Sequence, residues 1–137
     1  PPEMMAYLNS KFGPFTLDPS PYPRPPGYDG LTVRWTGRTF VNPPYGLGIR
    51  DWVAKAYESV ESGTAQIVVM LLPARTDTQW FQTFAPRAFA VLISGRVRYR
   101  RPDGSSAPAP FPSCLLVFAN GIRHEIAVGT IPGAGRL

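Results

Sequence analysis

Apolar positions recur along this chain at two different periods. Ile49, Trp52, Val53, Ala56, Tyr57 and Val60 stand at offsets 0, 3, 4, 7, 8 and 11, the spacing of one helical face, and predict a helix over 49–60. Glu61-Ser62-Gly63 ends it. Ile67-Val68-Val69-Met70-Leu71-Leu72 is instead continuously apolar, β-branched at its start and bounded by Gly63 and Pro73. A central parallel strand covered on both faces fits that run. Thr39-Phe40-Val41 supplies a strand before the helix, so residues 39–72 read as one strand-helix-strand unit.

The flanks follow the same logic. Met4, Met5, Leu8 and Phe12 give a helix begun at Pro1-Pro2-Glu3 and stopped by Gly13-Pro14. Phe15-Thr16-Leu17 is a short strand closed by Asp18-Pro19. Thr76 or Asp77 caps a further helix running to about Ala85, with Trp80, Phe81 and Phe84 on its apolar side. Phe89 to Ile93 is a strand. Arg96 to Arg100 alternates arginines with Val97 and Tyr99, as a strand with one wet, basic face does. Ser113 to Phe118 is a last core strand, Glu125 to Val128 an edge strand, and the Gly/Pro-containing end a loose tail. Residues 19–30 and 101–112 are loops dense in proline, glycine and serine.

This order predicts a small three-layer α/β domain over 1–118, followed by an edge strand and tail over 119–137. Helices cover both faces of its sheet, which acquires antiparallel strands at its C-terminal side. Ligands of open α/β sheets sit outside the C-terminal strand ends. Asp18-Pro19, Asn42 to Tyr45 and Pro73 to Asp77 all fall at such ends.

Composition narrows the chemistry. The 137 residues include 17 prolines and 13 glycines spread along the chain, so the loops read as structured. A formal charge of +5 permits a polyanionic partner. A single cysteine, Cys114, excludes an internal disulfide and a cysteine metal cluster. A single histidine, His124, argues against a His-based metal site or a hydrolytic triad, so no metal is expected. No segment approaches the length of a membrane span.

The strand-to-helix junction Asn42-Pro43-Pro44-Tyr45 is the stretch most apt to carry chemistry. Proline fixes φ and has no N–H donor, and the residue before it is pushed to extended geometry. The result is a stiff bracket presenting an amide, uncovered carbonyls and an aromatic plane, suited to a flat molecule bearing an NH2 group. A plain proline-rich turn fits the same residues equally well.

That tetrapeptide resembles the motif of enzymes that methylate adenine N6. Together with Phe15-Thr16-Leu17-Asp18-Pro19, Asp29-Gly30-Leu31, Leu71-Leu72-Pro73-Ala74-Arg75-Thr76-Asp77, Gly95-Arg96 and Phe111-Pro112-Ser113, it makes residues 1–118 similar to the phage-type DNA N6-adenine methyltransferase family. The resemblance implies a compact, reduced Rossmann-like methyltransferase sheet, S-adenosyl-L-methionine as donor and DNA as partner. It implies a cytoplasmic phage or prophage protein in a bacterial host, and it leaves a homodimer open. Asn42, Pro43, Pro44 and Tyr45 would then hold the base, with Asn42 also bordering the donor. Asp18 and Pro19 match the acidic end of the first strand beside the donor, and Pro2 matches part of a Thr-Pro element that touches it. Arg75, Asp77, Arg96, Arg98 and Ser113 are the expected substrate contacts. One departure is visible: the loop after Asp18 holds no glycine until Gly27, where methyltransferases ordinarily carry a glycine-rich turn. A catalytically weak or silent DNA-binding relative, and an amino methyltransferase acting on something other than DNA, are therefore the competing functions.

Overall fold

The computed structural model describes residues 1–44, 46 and 48–135. A five-stranded mixed sheet forms its middle layer, in the order β1 (Gly37–Val41), β2 (Ala65–Pro73), β6 (Ser113–Ala119), β3 (Phe89–Ile93), β7 (Glu125–Gly129). β1 and β2 are parallel, β3 and β7 are parallel, and β6 runs antiparallel to both β2 and β3. Four strands therefore point the same way, with one reversed strand between them. On the outer edge of β1 the expected strand Phe15–Leu17 is reduced to one parallel bridge, Leu17 to Thr39. Thr16 N donates to Arg38 O at 2.8 Å and Phe40 N to Leu17 O at 3.0 Å. Pro14 and Asp18-Pro19 bracket the segment so closely that no longer ladder can form.

Two buried clusters sandwich the sheet. On one face Val41, Val68, Met70, Leu72, Leu116 and Phe118 pack under α2 (Ile49–Glu61) and α3 (Gln79–Phe84). The six apolar positions read from sequence carry this contact: Ile49, Trp52, Val53, Ala56 and Val60 are buried, and Tyr57 packs at the margin. On the other face Phe40, Ile67, Val69, Leu71, Leu115 and Val117 meet Met4 and Leu8 of α1 (Pro2–Phe12). β2 alternates between the two clusters, and Gln66 is its one exposed residue. That explains the continuous apolar run, since both faces of a central strand are covered.

Several local expectations need correction. α3 is capped by Thr78, whose Oγ1 accepts from Phe81 N at 3.4 Å, and not by Thr76 or Asp77. Thr78 Oγ1 also donates to Arg75 O at 2.7 Å. The helix ends at Phe84, where a short 3-10 turn over Ala85–Arg87 takes over. The loop 101–112 contains a strand, β5 (Ser106–Pro108), which pairs with β4 (Arg96–Arg100). The expected loose tail contributes β8 (Ala134–Gly135) to the other side of β4, and Ile131 is buried. These three short strands form a second antiparallel sheet, which seats Val97 in the α1-side core. Proline and glycine obscured both added strands, because each pairs over two or three residues only.

Candidate active site

At the edge formed by Leu17 and β1, α1 lies on one face of the sheet and α2 on the other. The C-terminal end of β1 lies between these layers, and strand ends of that kind are where ligands of open α/β sheets sit. A cleft of about 540 Å³ lies there. Asn42-Pro43-Pro44 and Trp52 line one part, and residues 19–22, Arg24, Asp29 and Gly30 another. The third wall is the end of β4 and the turn after it, Tyr99 to Pro102.

Local chemistry shapes each wall. Val41 is the last residue of β1, so Asn42 is the first freed from the ladder, and the prolines keep it extended. Pro43 is buried, Asn42 half-buried and Pro44 exposed. Among the described residues the Asn42 side chain has no hydrogen-bond partner. Gly30 sits where a Cβ would lie 1.8 Å from Pro19 O and 2.7 Å from the Trp52 ring. Only glycine permits that approach, which seats the long loop on α2. Gly30 O also accepts from Trp35 Nε1 at 2.9 Å, and the Trp35 and Trp52 rings stand 5.8 Å apart.

Asp18 closes its own short turn, its Oδ1 accepting from Ser20 N at 3.0 Å. Crowding by surrounding atoms pushes the Asp18 carboxyl above its ordinary value, and the Ser20 N–H acts against that. The rest of the cleft is basic. Arg24, Arg100 and Arg101 line it against the single carboxylate Asp29. Among the described residues the one ion pair is Arg123 with Glu125, on another part of the surface. The cleft arginines thus leave a net positive mouth.

Not all the expected site residues meet here. Asn42, Pro43, Pro44 and Pro19 line the cleft, and Asp18 immediately precedes Pro19. Tyr45 lies outside the described residues. Pro2 opens α1 and does not line the cleft. Arg75 is exposed with its guanidinium 5.8 Å over the Phe111 ring, and Asp77 is exposed in the same loop. Arg96 Nη1 donates to Ala109 O at 3.4 Å, while the Arg98 stem lies along Gly135. Ser113 pairs with Pro73 at the shared strand edge, and its buried Oγ has no partner among the described residues.

Sequence reasoning passed over Asp29, Gly30, Trp52, Tyr99, Arg100 and Arg101 as parts of one cleft. Arg100 and Arg101 did carry a signal, since they end a strand and begin a loop. Trp52 belongs to the family resemblance, but its spacing is that of an ordinary core position and pointed to no cleft. Among the described residues no cluster of His, Cys, Asp and Glu could hold a metal ion, and no helix is long and apolar enough to cross a membrane.

A protein-family model described as DNA N-6-adenine-methyltransferase (Dam) matches residues 1–130. The match runs past the resemblance at 1–118 and takes in all of β7. No curated protein and no solved structure matches the chain.

Proposed function

For this chain, which belongs to the DNA N-6-adenine-methyltransferase (Dam) family, we propose that the cleft beside Asn42 is where methyl donor and target adenine meet. The protein is an enzyme that methylates N6 of adenine in DNA, and family membership implies S-adenosyl-L-methionine as its donor. The observation that carries the assignment of the cleft is Asn42, held extended between Val41 and Pro43 with its amide unpaired among the described residues, on the wall of a 540 Å³ cleft.

The residues present fit such a donor. Pro19, Pro43 and Trp52 offer apolar surface, while Ser20 and Asp29 offer polar contacts, the mixture expected of a nucleoside pocket. Asp18 and Asp29 suit the cationic part of the donor, and Pro19 its flat part; Pro2 would act only through α1. When bound, the donor supplies an electrophilic methyl group on a sulfonium centre.

The chain's own part is positioning. Adenine N6 is a weak nucleophile because its lone pair is delocalised into the ring. Asn42 Oδ1 and the Pro43 carbonyl accept its two hydrogens, which favours a pyramidal nitrogen and localises the lone pair. Such preorganised acceptors act by orientation and electrostatics, and no covalent intermediate is required. Pro44 stiffens the bracket and Tyr45 stacks on the base, which has to leave the duplex to be reached. Arg96, Arg98 and Arg75 meet the DNA backbone outside the cleft, exposed Asp77 joins that surface from the same loop as Arg75, and Ser113 shapes the strand edge beneath.

Membership of the family favours this over a silent DNA-binding relative. The reaction belongs where DNA is, in the bacterial cytoplasm for a phage protein. We assign any homodimer to the open edge of β7, where Ile126 and Val128 are 51% and 81% exposed; a second copy would register as a doubled mass in sedimentation. The decisive experiment is transfer of a labelled methyl group to unmodified DNA by wild type and Asn42→Ala. Loss of transfer with donor binding retained supports the reading, and near-normal turnover of the variant removes Asn42 from it.

A further inference from the structure

Tyr22 has no role in the chemistry above. Its ring is 85% exposed, and among the described residues it is the one large exposed aromatic. It nevertheless lines the cleft, together with Arg24, Arg100 and Arg101. Pro21 and Pro23 flank it, so the backbone on both sides has fixed φ, and the chain bends at Tyr22 and Pro23. The loop is pinned at both ends. Ser20 N is bound to Asp18 Oδ1, Tyr28 N donates to Pro25 O at 3.1 Å, and Gly30 fits beneath Pro19. The loop backbone therefore has little ordering entropy left to lose when the ring meets a ligand.

An exposed ring at a cleft mouth serves the part of a ligand that stays outside. A purine seated deep beside Asn42 would not cover Tyr22, whereas the nucleotide still attached to it would. The charges agree. Arg24 lies two residues along the same loop, and Arg100 and Arg101 stand on the β4 wall with no ion-pair partner among the described residues. An exposed aromatic ring and three arginines lining one cleft are the composition of a groove for unpaired nucleic acid, where bases stack and arginines meet phosphates. Extruding an adenine breaks its stacks with its neighbours, and a ring beside the opening replaces one of them.

We propose that Tyr22 stacks on the nucleobase next to the extruded adenine, while Arg24, Arg100 and Arg101 hold the phosphates on either side of it. The proposal rests on the cleft being the methyl-transfer site, and it adds a positioning residue and a backbone clamp to that site.

Binding of single-stranded oligodeoxyadenylate, compared with an abasic oligomer of the same length, tests both parts. Anisotropy is read at several salt concentrations. Wild type prefers the oligoadenylate. Tyr22→Ala lowers that preference about tenfold, and Tyr22→Phe restores it, which a merely structural role would not do. Arg24→Gln and Arg101→Gln weaken both oligomers alike, and each reduces the salt slope by about one. An unchanged preference in Tyr22→Ala, in protein whose circular dichroism matches wild type, overturns the stacking role. Unchanged salt slopes overturn the clamp. Donor calorimetry and label transfer with the wild-type protein separate the two levels. If the wild type neither binds nor uses S-adenosyl-L-methionine, the methyl-transfer reading of the cleft fails. If it does both while the Tyr22→Ala preference is unchanged, the stacking proposal alone fails.

Discussion

Asn42, Asp18 and Cys114 show how differently single side chains are used in this domain. Replacing Asn42 by Ala removes one acceptor from the target amine, so kcat should fall ~10²–10³-fold, the usual loss for one preorganised polar partner. The melting temperature should stay close to wild type, because Asn42 is half-buried and bonded to nothing else among the described residues. Asp18 is held in a place that disfavours its charge. A carboxyl whose pKa is raised in the folded state favours folding below its unfolded value, and that contribution disappears as pH rises through the folded value. Asp18 is itself exposed, so solvent screens most of that penalty, and Asp18→Asn should raise the melting temperature only slightly at neutral pH and leave it unchanged in acid, while weakening donor binding. A thermal-shift series across pH reads both. Cys114 is the opposite case of a group with no chemistry. Burial pushes its thiol up to about 12, so an alkylating reagent should label it only after unfolding. The unfolded thiol ionises first as pH rises above its ordinary value, so stability should decline by as much as ~1.4 kcal/mol per pH unit from this group in alkaline solution. Cys114→Ala should flatten that decline.

At the level of elements, the site depends on two joints that are not themselves reactive. Gly30 lets the long loop sit between Pro19 and Trp52. An added methyl has no room there, so Gly30→Ala should cost ~1–3 kcal/mol, as overpacking does, and should weaken donor and DNA binding together. Denaturant titration with parallel binding assays checks it. Thr78 joins α3 to the loop after β2 by accepting from Phe81 N and donating to Arg75 O. Thr78→Ala should cost about 1 kcal/mol and leave donor binding intact, since that loop does not line the cleft. The helix 49–60 and the strand 67–72 were legible from periodicity alone, because burial on one face or on both leaves its own pattern. The strands at 106–108 and 134–135 were not, since they are held by pairing with β4 and bury few side chains of their own.

Across the whole molecule, stability is concentrated in the middle of the five-stranded sheet. β2 and β6 are paired on both sides and covered on both faces, so amides of Val68 to Leu72 and Leu115 to Val117 should exchange only on global unfolding. Amides of β7, at the open edge, should exchange much faster by local opening. Hydrogen-exchange mass spectrometry or NMR orders the segments. This arrangement puts the rigid part of the sheet beneath a cleft whose remaining walls are a loop and a strand end. The bracket at Asn42 leaves β1, which pairs with the rigid β2, whereas Tyr22 stands on a loop and Arg101 just past the end of β4.

The amino-acid sequence by itself determined the family, the central strand-helix-strand unit and the bracket Asn42-Pro43-Pro44, because each is written in residues adjacent along the chain. It also marked Asp18-Pro19 as a strand end. Tertiary structure alone decided which loops share a cleft. The loop after β2, rich in motif residues, leaves at the same sheet edge yet lines no part of it, while Asp29, Trp52, Arg100 and Arg101 do. The reason is geometric. Periodicity and proline fix where an element starts and stops, but the neighbours of a strand end depend on strand order and on which face each helix takes. Here β6 inserts between β2 and β3, and β4 leaves the main sheet to reach the cleft beside Asn42.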